Sequence, residues 1–268
     1  MAIRVTALNV YPVKSCAGLA VSEGVVDRRG FEGDREYMVV DPNGLFVTQR
    51  EVPRLALVAL EFVNSGLSFR APGINPLPLS ATDDGSRRRV VVWRSQCEAV
   101  DQGDVAAEWL SGFLGVPVRL VRMADDFSRK VDSDYALRPE DETGFSDGYP
   151  FLLLGEASLA DLNSRLSVPV DMRRFRPNIV VSGAPPYAED GWRRIRIGEV
   201  EFGVVKPCAR CVITTTDQDT AERGREPLAT LATYRNVPGR GVLFGQNLIH
   251  MGRGQMRVGD AVEVLETA

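Results

Sequence analysis

Apolar and polar residues alternate along much of this chain, with the period of two expected where one face of a strand meets a core. Residues 3–10 (IRVTALNV), 37–40, 46–48, 55–62, 89–93, 200–204 and 262–265 read as strands on this pattern. Asp41-Pro42-Asn43-Gly44 predicts a turn that makes 37–40 and 46–48 a hairpin, since proline fixes one φ and glycine accepts a positive one. Residues 257–260 read as a turn into the last strand. The period changes in three places. Residues 104–114 put Ala107, Leu110 and Leu114 on one helical face, with Asp104 as the expected N-cap. Residues 156–166 align Leu159, Leu162 and Leu166, and 227–234 start with Pro227 in a first turn and align Leu228, Leu231 and Tyr234. Many short strands with few helices predict a β-rich α+β protein: a β-barrel core with peripheral helices.

Composition narrows the function. The 268 residues are 44% hydrophobic and 25% charged, ordinary for a globular protein, and the formal net charge is -4. No global field therefore draws in nucleic acid, and an anion site must be a local cluster of cations. No apolar run approaches the ~20 residues that span a bilayer, and the N-terminus does not read as a secretory signal. Neither a membrane nor a nucleic acid is an expected partner. Cys16, Cys97, Cys208 and Cys211 are too few for a disulfide scaffold at this length, so the expected location is cytoplasmic. The single histidine, His250, excludes a multi-histidine zinc site and is expected to be structural. A domain seam is expected at 115–117, and the polar stretch 125–148 reads as a functional loop or lid, or as a mobile surface loop.

Three segments could carry chemistry. Lys206-Pro207-Cys208-Ala209-Arg210-Cys211 joins a CxxC to an arginine, and the β-branched run Val212-Ile213-Thr214-Thr215-Thr216 predicts a strand after it. A zinc site lacks its second pair, and a thioredoxin-like pair would need a helix there. What remains is one thiolate as ligand or nucleophile with Arg210 lowering its pKa, or two structural cysteines. Arg173-Arg174-Phe175-Arg176-Pro177-Asn178 brings guanidinium forks suited to phosphate or a planar acceptor, with Asn178 able to donate and accept. Tyr-Pro-Val-Lys-Ser-Cys-Ala-Gly at 11–18 offers Lys14 and Ser15 in a tight turn, with Gly30, Gly33 and Arg35 further on; the spacing is not that of a nucleotide-hydrolysing loop.

Together these residues resemble the MOSC family, named for the molybdenum cofactor sulfurase C-terminal domain, and in particular its branch of mitochondrial amidoxime reducing components and their bacterial relatives. The resemblance runs through Tyr-Pro-Val-Lys-Ser-Cys at 11–16, Val-Thr-x-Arg at 47–50, Ser-Asp-x-x-Pro-Phe at 146–151, Glu-Ala-Ser-Leu-Ala-Asp-Leu-Asn at 156–163, Phe-Arg-Pro-Asn at 175–178, Tyr-Ala-Glu-Asp at 187–190, Cys-x-Arg-Cys at 208–211, Glu-Pro-Leu at 226–228 and Phe-Gly-Gln at 244–246. It implies a MOSC β-barrel over 118–268 and a smaller N-terminal β-rich region over 1–117, whose first strands complete the barrel. It implies a molybdenum-molybdopterin cofactor with Cys211 as the metal ligand, a soft-ligand choice that agrees with the local chemistry. Cys208 is then a neighbour. The phosphate end falls on Lys14, Ser15 and Arg35, the pterin on Arg176 and Asn178. Asp147, Gly148 and Tyr149 line the metal pocket, Arg210 sits beside the ligand, and Asp147 is a candidate proton relay. Tyr149 stands where the amidoxime reducers commonly carry a smaller hydroxyl residue.

The activity implied is reduction of N-hydroxylated compounds: amidoximes, hydroxylamines and N-hydroxylated bases. The chain is expected to lack the mitochondrial leader and anchor and a fused ferredoxin domain. Electrons are therefore expected from a separate partner: a reductase, a ferredoxin or a haem carrier. Two other readings use the same residues, a non-catalytic cofactor carrier and a sulfur carrier with a persulfide on Cys211.

Overall fold

A computed structural model describes residues 2–63, 66–80 and 82–268. Its largest sheet has nine strands, eight of them in the order Val262–Thr267, Trp192–Ile197, Val200–Arg210, Gly241–His250, Phe151–Gly155, Ile179–Ser182, Arg4–Val10 and Leu19–Val21, with Asn236–Val237 pairing beside Gly241–His250. Neighbours are antiparallel except Phe151–Gly155 with Ile179–Ser182. The first strand closes the sheet. Arg4 bridges Ala261, and Val262 N donates to Ile3 O at 2.9 Å, so the start of the first strand meets the start of the last one and the sheet closes on itself there. Alternate residues of these strands fill the interior, among them Leu8, Val10, Phe151, Ile179, Ile195, Phe202 and Leu248. Phe31 and Phe202 each meet the Phe151 ring edge-on, at 4.9 and 5.3 Å between centroids. His250 is buried with its ring 5.8 Å from that of Phe151, a packing role.

A four-stranded antiparallel sheet, Tyr37–Val40, Arg119–Met123, Ser95–Asp101 and Arg87–Val92, stands beside the barrel. Tyr37-Met38-Val39-Val40 is buried at every position because both faces are covered. Tyr37 and Val39 pack with Leu110, Phe113 and Leu114 of the helix Asp104–Leu114, whereas Met38 and Val40 pack with Phe145 of the 125–148 stretch. That stretch is neither lid nor loose loop. Arg129, itself buried, donates to Gly144 O at 2.8 Å and Ser146 O at 2.7 Å, and Asp141 is bonded through both oxygens by Arg138 and the backbone of Leu137. Gly144 lies so close to Arg35 that a Cβ would meet the Arg35 carbonyl oxygen at 2.7 Å.

Local expectations failed in five places. Residues 46–48 form no strand: Phe46 makes only an isolated antiparallel bridge to Val40. Residues 55–57 belong to a 3₁₀ turn, Pro53–Leu57, and the strand spans Ala59–Val63. Pro53 starts the turn, and buried Leu55 and Ala56 hold it in the core. Gly103, not Asp104, is the N-cap: its φ of 91° suits glycine, and its N–H goes to Asp101 Oδ1 at 2.9 Å. The second helix ends at Asn163, short of 166, and the residues after it turn back on Leu162 and Asn163 carbonyls. The strand expected at 212–216 is a 3₁₀ turn, Val212–Thr215, in which Thr214 and Thr215 hydroxyls donate to the Cys211 and Val212 carbonyls. The long strand instead runs through Cys208 and ends just before Cys211.

Phe202 is fully buried at the centre of the barrel. Phe202→Ala should lower unfolding stability by about 3–5 kcal/mol, read as a shift in urea midpoint without a change in slope.

Candidate functional site

A cleft of about 290 Å³ opens between barrel strands and the loops that carry Lys14, Arg35 and Asp147. It gathers residues from four stretches: Lys14, Ser15 and Arg35; Asp147, Gly148 and Tyr149; Arg174, Arg176 and Asn178; and Lys206 to Cys211. All the residues singled out above for the cofactor and the metal line it, whereas Gly30 and Gly33 do not and serve the turn before Arg35. Six cations (Lys14, Arg35, Arg174, Arg176, Lys206 and Arg210) face one carboxylate, Asp147, so an acidic protein presents a strongly cationic hollow.

Backbone strain concentrates here. Ser15, Arg35 and Arg176 have φ of 68°, 50° and 57°, a left-handed conformation that side chains other than glycine's rarely adopt. Each costs on the order of 1–3 kcal/mol and persists where surrounding contacts over-determine it. Those contacts are visible. The Arg35 and Arg176 guanidinium groups both lie over the Tyr11 ring, each 4.3 Å from its centroid. Arg35 Nη1 donates to Asp34 Oδ2 at 2.6 Å and Asn178 Oδ1 at 2.9 Å, and Arg176 Nη1 donates to Cys16 O at 2.5 Å. Burial pushes the Tyr11 phenol up to about 12, the two arginines opposing it. Burial also brings Arg176 down to about 10, with Arg35 adding to the effect.

Asn178 behaves differently from expectation. Its carboxamide oxygen accepts from Arg35 and from Leu152 N, and its nitrogen donates to Asn9 O. It fixes Arg35 and the adjoining strands and has little left to offer a ligand.

Lys14 is 5% exposed. Its ammonium donates to Phe145 O at 2.9 Å and to Asp147. Burial lowers its pKa to about 8, partly countered by Asp147. The Asp147 side chain is 62% exposed, yet Lys14, Arg50 at 3.6 Å and the Trp93 indole N–H at 3.1 Å surround it. Desolvation opposes ionisation; Lys14 and then Arg50 outweigh it and hold the carboxyl well below the usual range. Asp147 is thus an anion at neutral pH. Tyr149 meets Tyr135 edge-on, with Lys206 Nζ 4.0 Å from the Tyr135 ring centroid, and burial raises its phenol.

Cys211 follows the end of the strand Val200–Arg210. Cys208 to Arg210 are extended, so the two cysteine Cα atoms lie roughly 10 Å apart by strand rise, beyond disulfide reach. Both thiols are free, and burial pushes that of Cys208 up. Arg210 does not face the Cys211 sulfur: its Nε and Nη1 donate to Phe244 O at 2.7 Å and Phe175 O at 2.9 Å, while its buried Nη2 has no protein partner. The cation on the sulfur is Arg50, with Nη2 3.3 Å from Sγ. Arg50 and Trp93 were missed as site residues because each stands alone in a stretch without other chemistry; the Val-Thr-x-Arg motif was the available signal. Among the described residues no three of His, Cys, Asp and Glu come together as a metal site.

Asp147 has a depressed folded pKa, so its ion pairs stabilise the fold above the ordinary carboxylate range and are lost as pH falls through the folded value. The difference in Tm between parent and Asp147→Asn should therefore be largest near neutrality and shrink as pH is lowered below about 4.

Residues 2–117 match the MOSC N-terminal beta barrel domain and 140–263 the MOSC domain. The chain is 39% identical to mitochondrial amidoxime-reducing component 1 of Homo sapiens, over 97% of this chain and 82% of that protein. It is 36% identical to mitochondrial amidoxime reducing component 2 of Rattus norvegicus (94% and 80% covered) and 37% identical to component 1 of Danio rerio (96% and 83%). With both domains present in order and relatives aligned over nearly its whole length, the chain belongs to the MOSC family, alongside the amidoxime-reducing components.

Proposed function

We propose that this protein is a molybdenum-cofactor-dependent oxidoreductase that reduces N-hydroxylated compounds, namely amidoximes, hydroxylamines and N-hydroxylated bases, with electrons from a separate reductase, ferredoxin or haem carrier. The observation that carries the reading is the meeting of two free thiols, Cys208 and Cys211, with six cations in a single cleft. The relatives' names point to amidoximes, and the wider N-hydroxylated class is an extension from them.

The residues suit a phosphate-bearing planar ligand that also binds a soft metal. Lys14, Ser15 and Arg35 would hold the anionic end, and Arg176, fixed over Tyr11, the adjoining organic part. The buried, unpartnered Nη2 of Arg210 is a donor awaiting an acceptor, since leaving it unpaired costs about 1–3 kcal/mol. Asn178 acts through Arg35. Cys211 would be the metal ligand, with Asp147, Gly148 and Tyr149 forming the wall next to it. When bound, the cofactor supplies the two-electron chemistry that takes oxygen from an N–O bond and releases it as water. The protein's part is to hold and orient the cofactor and the substrate. Asp147, held ionised, is an acceptor in this corner rather than an acid. Among the described residues no helix is long and apolar enough to cross a membrane.

The test is expression in a cofactor-competent host, with Cys211→Ser alongside. The parent should carry molybdenum, show thiolate-to-molybdenum absorption and reduce benzamidoxime with a chemical reductant. Cys211→Ser should lose the absorption and at least about 100-fold of the activity. A fully loaded parent that reduces no N-hydroxylated compound overturns the proposed activity.

A further inference from the structure

Arg50 has a mounting that the reading above leaves unused. Its turn is pinned on two sides. The preceding residue, Gln49, is fully buried; its side chain donates to Ser15 O at 2.7 Å and accepts from Gln218 Nε2 at 3.3 Å, while its carbonyl accepts from Arg223. Thr48 Oγ1 accepts from Arg50 N at 3.1 Å and donates to Glu51 Oε2 at 2.7 Å. The turn is thereby tied both to the lysine–serine loop at the cationic end of the cleft and to the segment that follows Cys211.

The side chain is equally constrained. It is 20% exposed, and its guanidinium lies 4.6 Å from the centroid of the Trp93 ring. Trp93 sits at the tip of the hairpin Arg87–Val92 and Ser95–Asp101, in a left-handed conformation with φ of 55°. It is held by its hydrogen bond to Asp147 and by Phe46 at 5.1 Å between centroids. What this seat presents is one guanidinium nitrogen, Nη2. It is 3.3 Å from Cys211 Sγ, within hydrogen-bond range for sulfur, and 3.6 Å from Asp147 Oδ2, an ion-pair distance too long for a hydrogen bond. The better-formed contact is the one to sulfur.

We propose that Arg50 is a positioning residue for the Cys211 sulfur: its N–H···S hydrogen bond fixes the direction of the thiolate and draws charge from it, and so sets how strongly the sulfur donates to the metal. The proposal rests on Cys211 being the metal ligand. Hydrogen bonds to ligating sulfurs and other outer partners of metal ligands tune reduction potential and reactivity in this way. It also gives the N-terminal region a part in the chemistry, since Arg50 and Trp93 both come from the 2–117 segment and reach into the MOSC domain, Arg50 to the Cys211 sulfur and Trp93 to the Asp147 carboxylate. A salt bridge serving only to anchor Asp147 would leave the electronic properties of the sulfur untouched, which separates the two roles.

The experiment compares cofactor-loaded parent, Arg50→Met and Arg50→Lys by molybdenum content, thiolate-to-molybdenum absorption energy and midpoint potential from spectroelectrochemical titration. Arg50→Met should retain molybdenum while its absorption moves to lower energy and its potential falls, because an unbonded thiolate is the stronger donor. Arg50→Lys, which keeps a cationic N–H donor, should return both toward the parent. In turnover, Arg50→Met should lose about tenfold in kcat with KM changed less than about threefold. If Arg50→Met does not fold, Arg50→Gln, whose amide is too short to reach the sulfur, carries the same expectation. A loaded Arg50→Met or Arg50→Gln with the absorption and potential of the parent overturns the positioning role while leaving Cys211 as ligand. A loaded parent without thiolate-to-molybdenum absorption overturns the ligand assignment, and this inference with it.

Discussion

Two guanidinium groups held together out of water are the constraint on which the cleft depends. Arg35 and Arg176 repel each other, and burial makes that repulsion stronger. The fold offsets it with the π-face of Tyr11, the carboxylate of Asp34, the carboxamide of Asn178 and the carbonyl of Cys16. Each partner belongs to a different part of the backbone. Tyr11 leaves the first strand, Asp34 and Arg35 end a glycine turn, Cys16 lies in the lysine–serine loop, and Asn178 leads into the strand Ile179–Ser182. The cluster can form only if the first strand lies against Ile179–Ser182, and that same pairing lets the barrel close. Barrel closure and cation placement are one structural event.

Such an arrangement is poorly explained by stability alone. Left-handed backbone at Ser15, Arg35 and Arg176, paired cations and an unpartnered Arg210 Nη2 all disfavour the ligand-free fold. An anionic ligand would relieve the last two at once. The cleft is therefore preorganised for negative charge, with the thiol of Cys211 in the same hollow. The chain's overall acidity makes this local reversal of sign the more telling.

How much of this could be read from sequence depended on the range of the interactions. Alternating residues at 3–10, 200–204 and 262–265 marked barrel strands because half-buried strands write their burial directly into a period of two. The helix Asp104–Leu114 was equally plain. The run Val212–Thr215 misled because threonine hydroxyls can bond to nearby carbonyls, an option that β-propensity ignores. Residues 125–148 looked mobile because they are polar; their order comes from Arg129 and Asp141, charged side chains satisfied by backbone that no local pattern identifies. For the site, the single residues Lys14, Arg35 and Cys211 carried little alone, and it was the resemblance of spaced motifs that drew them together. Asn178 and Arg210 show where that stops: both lie at the cleft, but their hydrogen bonds to Arg35 and to the Phe175 and Phe244 carbonyls become visible only in three dimensions. Arg50 reaches its sulfur from 161 positions away.

The central claim is that one sulfur, that of Cys211, meets the metal while the lysine–serine loop and Arg35 grip the other end of the same ligand. Anomalous diffraction from crystals of the loaded protein at the molybdenum edge tests it most directly. The account predicts one molybdenum peak at bonding distance from Cys211 Sγ, with ligand phosphate density between Lys14, Ser15 and Arg35. A metal peak on Cys208, or a loaded cofactor lying outside this cleft, would contradict it.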